Sequence, residues 1–237
     1  MAHRASVRPP QAALITRRQL LTAMGVMAAA GAIGYLPTTA DAFNPQRLRD
    51  SMERLYGSSG LQVLEEWFAL LDRLREADVA TQLRDVNGFF NRRVLWRDDI
   101  QIWGQEDYWA TPLETMGKGE GDCEDYSIAK YITLKELGVA GDKLRMIYVR
   151  ARIGRSQTTQ AHMVLGFYQT SASEPLILDN LVASIQPASQ RDDLDPVFSF
   201  NSNGLWAGGS DSSRADPMAR LSRWRSVVSR MQEQGFI

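Results

Sequence analysis

Gly117-Lys118-Gly119-Glu120-Gly121-Asp122-Cys123-Glu124-Asp125-Tyr126 is the stretch on which the reading of this chain turns. A glycine-rich run ends in a cysteine flanked by acids, and a mostly apolar segment to Leu137 follows. The spacing predicts a helix over about 122–137, stopped by Gly138. Cys123 then stands at the helix start, where the positive end of the peptide dipoles favours thiolate. It is the only cysteine of the chain, which excludes an internal disulfide and a cysteine-rich zinc site. Most free cysteines are buried and inert. Two features argue instead for a working thiol: the glycines allow close backbone approach, and Asp122, Glu124 and Asp125 are poor company for a packing cysteine.

Working outward, the part before this motif reads helical. Leu48, Met52 and Leu55 recur at helical spacing and Gly57 stops them. Leu61, Leu64, Trp67, Phe68, Leu71 and Leu74 continue as an amphipathic face. A third run covers about 79–91, with Leu83, Val86 and Phe90 inward. Segment 92–120 reads mostly as loop, with Trp96, Trp103 and Trp109 in it and a flexible glycine run at its end. After Gly138 the period changes to two. Strands are expected at 144–152, 162–168 and 176–180, then a loop over 187–216. A closing helix carries Met218, Leu221, Trp224, Val228 and Met231. Helices first and antiparallel strands later define an α+β single domain.

His162 stands on the second strand and Asp179 ends the third. A four-residue hairpin loop over 169–172 pairs Tyr168 with Ser173, so partner numbers sum to 341 and His162 faces Asp179 directly. Their Cβ atoms would then lie about 5 Å apart. The carboxylate could orient the imidazole as the third member of a catalytic triad does. A lone histidine on an alternating strand also fits a plain structural role.

The first 42 residues are set aside as an address label. Arg4, Arg8, Arg17 and Arg18 precede an Ala- and Gly-rich apolar run, Leu20 to Leu36, and Ala40-Asp41-Ala42 has the form of a cleavage site. Thr16 to Leu21, TRRQLL, resembles the twin-arginine signal for export of folded proteins to the periplasm. The competing reading is an uncleaved anchor, for which the run is short. The mature chain is therefore expected to be 43–237, periplasmic and not membrane-spanning. The whole chain has 27 basic and 28 acidic residues, net −1, and 44% hydrophobic residues, which argues for a globular protein and against nucleic-acid binding by charge neutralisation. The leader takes four arginines, Asp41 and His3 with it. A net charge of −4 remains, with one cysteine and one histidine. In a Cys–His enzyme both assignments are then forced.

Cysteine at a helix start, then histidine and aspartate on successive strands, resembles the transglutaminase-like, papain-related cysteine hydrolases. More narrowly, Val86 to Gly138 (VNGFFNRRVLWRDDIQIWGQEDYWATPLETMGKGEGDCEDYSIAKYITLKELG) is similar to the bacterial transglutaminase-like cysteine proteinases, including the LapG-type periplasmic proteases. QAHMVL, LILDNL and FSFNSNGLW extend the likeness over most of 80–206. The resemblance implies N-terminal helices packed on an antiparallel sheet, with Cys123 as nucleophile, His162 as base and acid, and Asp179 as orienting acid. It implies a calcium-dependent endopeptidase that trims a large, repeat-rich surface adhesin near its N-terminus and promotes biofilm dispersal. It also implies an inhibitor, the periplasmic domain of an inner-membrane receptor that senses cyclic diguanylate. A transglutaminase or amidase with the same triad, and a non-catalytic binding module, are the alternatives.

The acids around Cys123 pose an electrostatic conflict. A carboxylate about 6 Å from a thiolate repels it by roughly 3 kcal/mol at an effective dielectric of 20, more than the helix dipole offsets. A cation near Asp122, Glu124 and Asp125 would resolve this, and hard oxygens suit calcium better than zinc. Locally, an N-cap Asp122 with two solvated first-turn acids explains the motif equally well; the resemblance favours calcium. The Cys123 backbone N–H is the natural oxyanion donor, with the indole of Trp103 or Trp109 as a second. Residues 96–109, with Asp98 and Asp99, are either docking surface for the receptor or, for the tryptophans, core.

Overall fold

The computed structural model describes residues 43–154, 158–208 and 213–237. The expected leader and its cleavage site lie outside these residues. No helix among the described residues is long and apolar enough to cross a membrane.

Two long helices open the domain: α1 (Pro45–Leu74) and α2 (Val79–Arg93). Gly57 does not end α1 but kinks it, with a left-handed φ of 64° that a side chain would resist. Beyond the kink Leu64, Trp67, Leu70, Leu71 and Leu74 turn inward. Leu55, expected on the inner face, is 51% exposed, because the kink turns the helix away just after it. In α2 the inward residues are Leu83, Val86 and Phe90, as their spacing predicts.

Segment 92–120 is more ordered than its composition suggests. It holds β1 (Leu95–Trp96), α3 (Asp99–Trp103) and α4 (Pro112–Lys118), and the last is started by a Thr111–Glu114 capping box. The expected flexible glycine run is built into structure. Gly117 and Lys118 close α4, and Glu120–Gly121, strand β2, pair in parallel with β1. Gly121 is needed for close approach, since a Cβ there would lie 2.9 Å from the Asp125 side chain.

Helix α5 (Cys123–Glu136) is the centre of the molecule. Its residues from Asp125 to Leu134 are all buried, so it lacks the polar stripe of a surface helix. It packs on a six-stranded antiparallel sheet of order β6-β5-β4-β3-β7-β8. These strands are β3 (Leu144–Arg152), β4 (Thr159–Phe167), β5 (Leu176–Leu178), β6 (Gln186–Pro187), β7 (Leu194–Phe200) and β8 (Leu205–Ala207). On β4, Met163, Leu165 and Phe167 join the main core with Leu144 and Met146 of β3. Val164 joins Ile147, Val149 and Ile177 in a smaller apolar cluster. Alternation of side chains along the strands produces the two sets.

Two expectations need correction here. The segment 187–216 is not simply loop: it contains β7, which lies beside β3 inside the sheet. Pro196 and the polar residues of Leu194–Phe200 masked it, and a register shift at Tyr148/Val149 accommodates the irregularity. The β4–β5 hairpin is also two residues out of the expected register, with Leu165 opposite Leu178 and Phe167 opposite Leu176. An even shift keeps every side chain on its expected face. The closing α6 (Pro217–Arg220) and α7 (Ser222–Gln234) bury Trp224, Val227 and Met231, with Val228 only partly covered. The α+β single-domain expectation holds for this unit.

Candidate active site

Cys123 begins α5 directly after its N-cap, Asp122, whose backbone is extended. One turn on, Ser127 Oγ donates to the Met163 carbonyl at 3.1 Å and ties α5 to β4. The Met163 backbone also lies close enough to Sγ to favour its thiolate. The thiol is thereby set beside the strand that carries His162.

His162 and Asp179 meet as their types suggested, though not as directly opposed partners. The imidazole Nε2 and Asp179 Oδ1 are 2.9 Å apart, and both side chains are buried. The expected pairing put 179 against 162, whereas the observed register would put it two positions further along β4. β5 ends at Leu178, and the contact spans the diagonal between the two residues. Asp179 is further held by the Leu181 N–H on Oδ1 at 3.0 Å and by Arg191 Nη2 on Oδ2 at 2.7 Å. Its main-chain carbonyl accepts from Asn91 Nδ2 of α2 at 2.8 Å. Burial works against the charge of Asp179, but the hydrogen bond from His162 and those from Leu181 and Arg191 lower its pKa to about 2. With Nε2 engaged, Nδ1 is the ring nitrogen left to serve a thiol.

A second polar cluster lies at the other side of Cys123. Ligand atoms of Asp99, Asp122 and Asp125 all lie within 4.8 Å of one another. Asp99 was expected only as part of an acidic surface loop with Asp98. Asp98 is exposed, but Asp99 at the start of α3 is buried and its Oδ2 accepts the Tyr108 N–H at 2.6 Å. Asp125 Oδ1 accepts the Ala110 N–H at 2.7 Å, and its Oδ2 faces the Asp122 N–H at 3.4 Å. Glu124, expected among the metal-binding acids, stands on the thiol side of Asp122: its Oε2 accepts a hydrogen bond from Cys123 Sγ at 2.8 Å, and ligand atoms of Asp122, Cys123 and Glu124 form a second group within 4.8 Å of one another. The cap and metal readings of Asp122 are compatible, since the residue is both N-cap and member of the cluster.

The electrostatics of this cluster are unresolved by the protein alone. Burial, then the Asp122 charge, pushes Asp99 up to about 7; burial and Glu124 push Asp122 up to about 8. Burial and Asp122 push Asp125 well above the carboxylate range. Cys123 is raised as well, by burial first and then by Glu124 and Asp122, so the repulsion foreseen from sequence is joined by a larger desolvation cost. Asp99 Oδ1 and Asp122 Oδ1 are buried with no hydrogen-bond donor. Among the described residues none of the three aspartates has an ion-pair partner. Three converging hard oxygens with orphaned lone pairs fit a divalent cation that takes oxygen ligands.

Between these clusters and the sheet runs a cleft of about 590 Å³, lined among others by Trp109, Asp122, Glu124, Tyr148, Ala161 and Phe198. Trp109 is core: it stacks on Phe200 with ring centroids 5.6 Å apart, and its N–H is committed to Asp107 at 3.0 Å. Trp103 packs on Tyr108 with centroids 4.5 Å apart, and its N–H is buried without a partner. Trp96 is 52% exposed. Asp99 and Arg191 are the site residues that sequence reasoning missed. Asp99 offered only an acidic pair with Asp98, and Arg191 stood in a segment read as loop.

A thiol at a helix start beside a His–Asp pair on an antiparallel sheet defines the cysteine hydrolases of papain-like and transglutaminase-like type. The family model of the bacterial transglutaminase-like cysteine proteinases matches residues 71–193. Among solved structures, EGTA-treated LapG of Legionella pneumophila is 38% identical, with TM-score 0.71 over 81% of this chain and 99% of that one. Calcium-bound LapG of the same organism is 39% identical, with TM-score 0.67 over 79% and 99%. No curated protein sequence matches the chain. The chain belongs to the bacterial transglutaminase-like cysteine proteinases and is a LapG-type cysteine peptidase.

Proposed function

We propose that this peptidase is a calcium-dependent periplasmic endopeptidase, with Cys123 as nucleophile, His162 as general base and acid, and Asp179 as orienting acid. The observation that carries the reading is the buried His162–Asp179 pair held beside the α5 start that bears Cys123. His162 Nδ1 takes the thiol proton, and the sulfur attacks the carbonyl carbon of the scissile peptide. The Cys123 N–H, free at the helix start, is oriented to receive the developing oxyanion. The imidazolium, stabilised by Asp179, returns its proton to the leaving amine. Water activated by the same ring then hydrolyses the thioester and frees the thiol.

Asp99, Asp122 and Asp125 would hold the calcium ion. When bound, it supplies positive charge that offsets the acids crowding the thiol. Asp99 is added to the set expected from sequence, and Glu124, grouped with Asp122 and Cys123, would join it from the thiol side. Support for calcium comes from the orphaned oxygens and from the calcium-bound relative. The substrate we propose is the N-terminal region of a large repeat-rich surface adhesin, whose removal releases cells and disperses a biofilm. The inhibitor is the periplasmic domain of a cyclic-diguanylate receptor, and residues 1–42 are the twin-arginine-type leader. These assignments rest on the likeness of Val86 to Gly138 and on the leader's composition.

The test is cleavage of an adhesin N-terminal fragment by the wild type and by Cys123→Ala, with EGTA and with calcium or zinc restored. Cysteine-dependent cleavage lost in EGTA and restored by calcium alone is expected. Cleavage that survives both the substitution and chelation overturns the reading. Incorporation of an added amine in place of hydrolysis would mark a transglutaminase instead.

A further inference from the structure

Asp179 divides its two oxygens between different partners. Oδ1 meets His162 and the Leu181 N–H, while Oδ2 is taken by Arg191. The arginine is only 4% exposed, far below the habit of its type. Its guanidinium is gripped in turn by Asp193, with Nε on Oδ1 at 2.9 Å and Nη2 on Oδ2 at 2.8 Å. The backbone around it is pinned as well. The Arg191 N–H donates to Ala188, the Leu194 N–H donates to Arg191, and the Arg152 N–H donates to Asp193, each at 2.9 to 3.0 Å. The short segment leading into β7 is thus a rigid bracket with one buried cation directed at the Oδ2 edge of Asp179.

Resting on the catalytic assignment above, we propose that Arg191 is a positioning residue of this peptidase: it locks the Asp179 carboxylate so that Oδ1 stays on His162 Nε2 and fixes the ring, leaving Nδ1 for the thiol. An aspartate held on one edge alone can rotate about its terminal bond and lose the imidazole. With both edges held by charge-assisted bonds, rotation must break two contacts at once. Arg191 itself touches no reacting atom. The other charges near the pair are Lys130 of α5, which is buried and feels the Asp179 charge, and Asp193. Lys130 makes no hydrogen bond that would hold the carboxylate's orientation among those the structure shows, and its ammonium sits 5.5 Å from the Tyr126 ring centroid. Orientation therefore falls to Arg191.

The experiment uses the full chain and two readouts, one of which needs no substrate. The chain has two histidines, so ring-labelled histidine gives signals of His3 and His162 only, the latter assigned by their loss in His162→Ala. In the wild type the hydrogen-bonded Nε2–H of His162 is expected as a downfield proton. In Arg191→Met that proton should be lost, and kcat should fall about a hundredfold, the scale of a small misplacement, with KM changed less than about threefold. Arg191→Lys, which keeps a charge without the fork, should recover only part of kcat. Asp193→Asn, at a half-buried position, loosens the bracket without emptying it, and decides the matter if the arginine variants do not fold. A folded Arg191→Met or Asp193→Asn with wild-type kcat and an intact downfield proton overturns the proposal. If the wild type shows no Cys123-dependent cleavage, the catalytic reading falls, and the His162 proton still reports whether Arg191 orients Asp179.

Discussion

The two acidic clusters flanking Cys123 contain the same residue type at similar depth and behave in opposite ways. Asp179 is driven down to about 2, whereas Asp99 and Asp122 are driven up to about 7 and 8. Burial opposes the charge in both places. The difference is the company: Asp179 has His162, Arg191 and a backbone N–H, while the aspartates of the other cluster face one another and Glu124. One cluster is electrically complete within the chain and holds geometry. The other lacks a cation and is suited to acquire one from solution.

The largest expected effect tests whether both clusters serve one thiol. Cys123→Ala and His162→Ala should each reduce cleavage by about 10⁴-fold or more while circular dichroism stays native. Residual activity near the wild type in either variant would detach the site from the chemistry. Asp179→Asn should follow at about 10³- to 10⁴-fold, because an amide cannot stabilise the imidazolium. Single-turnover kinetics on the folded variant would check it.

The calcium cluster is sharpened by a contrast between neighbours. Calcium at about 100 times its Kd should raise the stability of the wild type by about 2.7 kcal/mol in thermal unfolding. Asp99→Asn and Glu124→Gln should each lose part of this gain, since Asp122 shares one group of ligand atoms with Asp99 and Asp125 and another with Glu124. A gain that survives Glu124→Gln would confine the ion to the three aspartates, and one that survives Asp99→Asn would move it to the Glu124 side of Asp122.

The complete cluster has its own signature in acid. Asp179 has a folded pKa below its unfolded value, so the native state binds fewer protons between the two. Its contribution is present above about pH 4 and is lost as the pH falls towards 2. The shift corresponds to roughly 2 kcal/mol. Denaturant unfolding of wild type and Asp179→Asn across that window should show the difference in slope; parallel curves would mean that Asp179 is not held as described. The smallest effect belongs to Trp96, half exposed on β1. Trp96→Ala should change stability by less than about 0.5 kcal/mol and cleavage by less than about twofold. A loss confined to binding of the proposed receptor domain would make it docking surface.

Much of this architecture is written in contiguous residues. Helices α2 and α5, strand β3 and the face of β4 that bears His162 follow from spacing. So does Cys123 at a helix start, because such features depend on neighbours a few positions apart. The pairing of His162 with Asp179 was legible for the same reason: strand alternation preserves the face even when the register slips by two. What only the tertiary structure decided are contacts between distant segments. Asp99 joins Asp122 and Asp125 because α3 is folded back against the start of α5, and an Asp98-Asp99 pair in a loop-like stretch carries no mark of that. Arg191 reaches Asp179 because β7 inserts beside β3 and brings the bracket before it against the end of β5. The placing of Glu124 against both the Cys123 thiol and Asp122 is likewise a matter of side-chain direction at the first helical turn. Local periodicity is a property of the chain; convergence of charges from separate elements is a property of packing, and only packing divides the acids of this protein between the cluster around Asp122 and the His162–Asp179 pair.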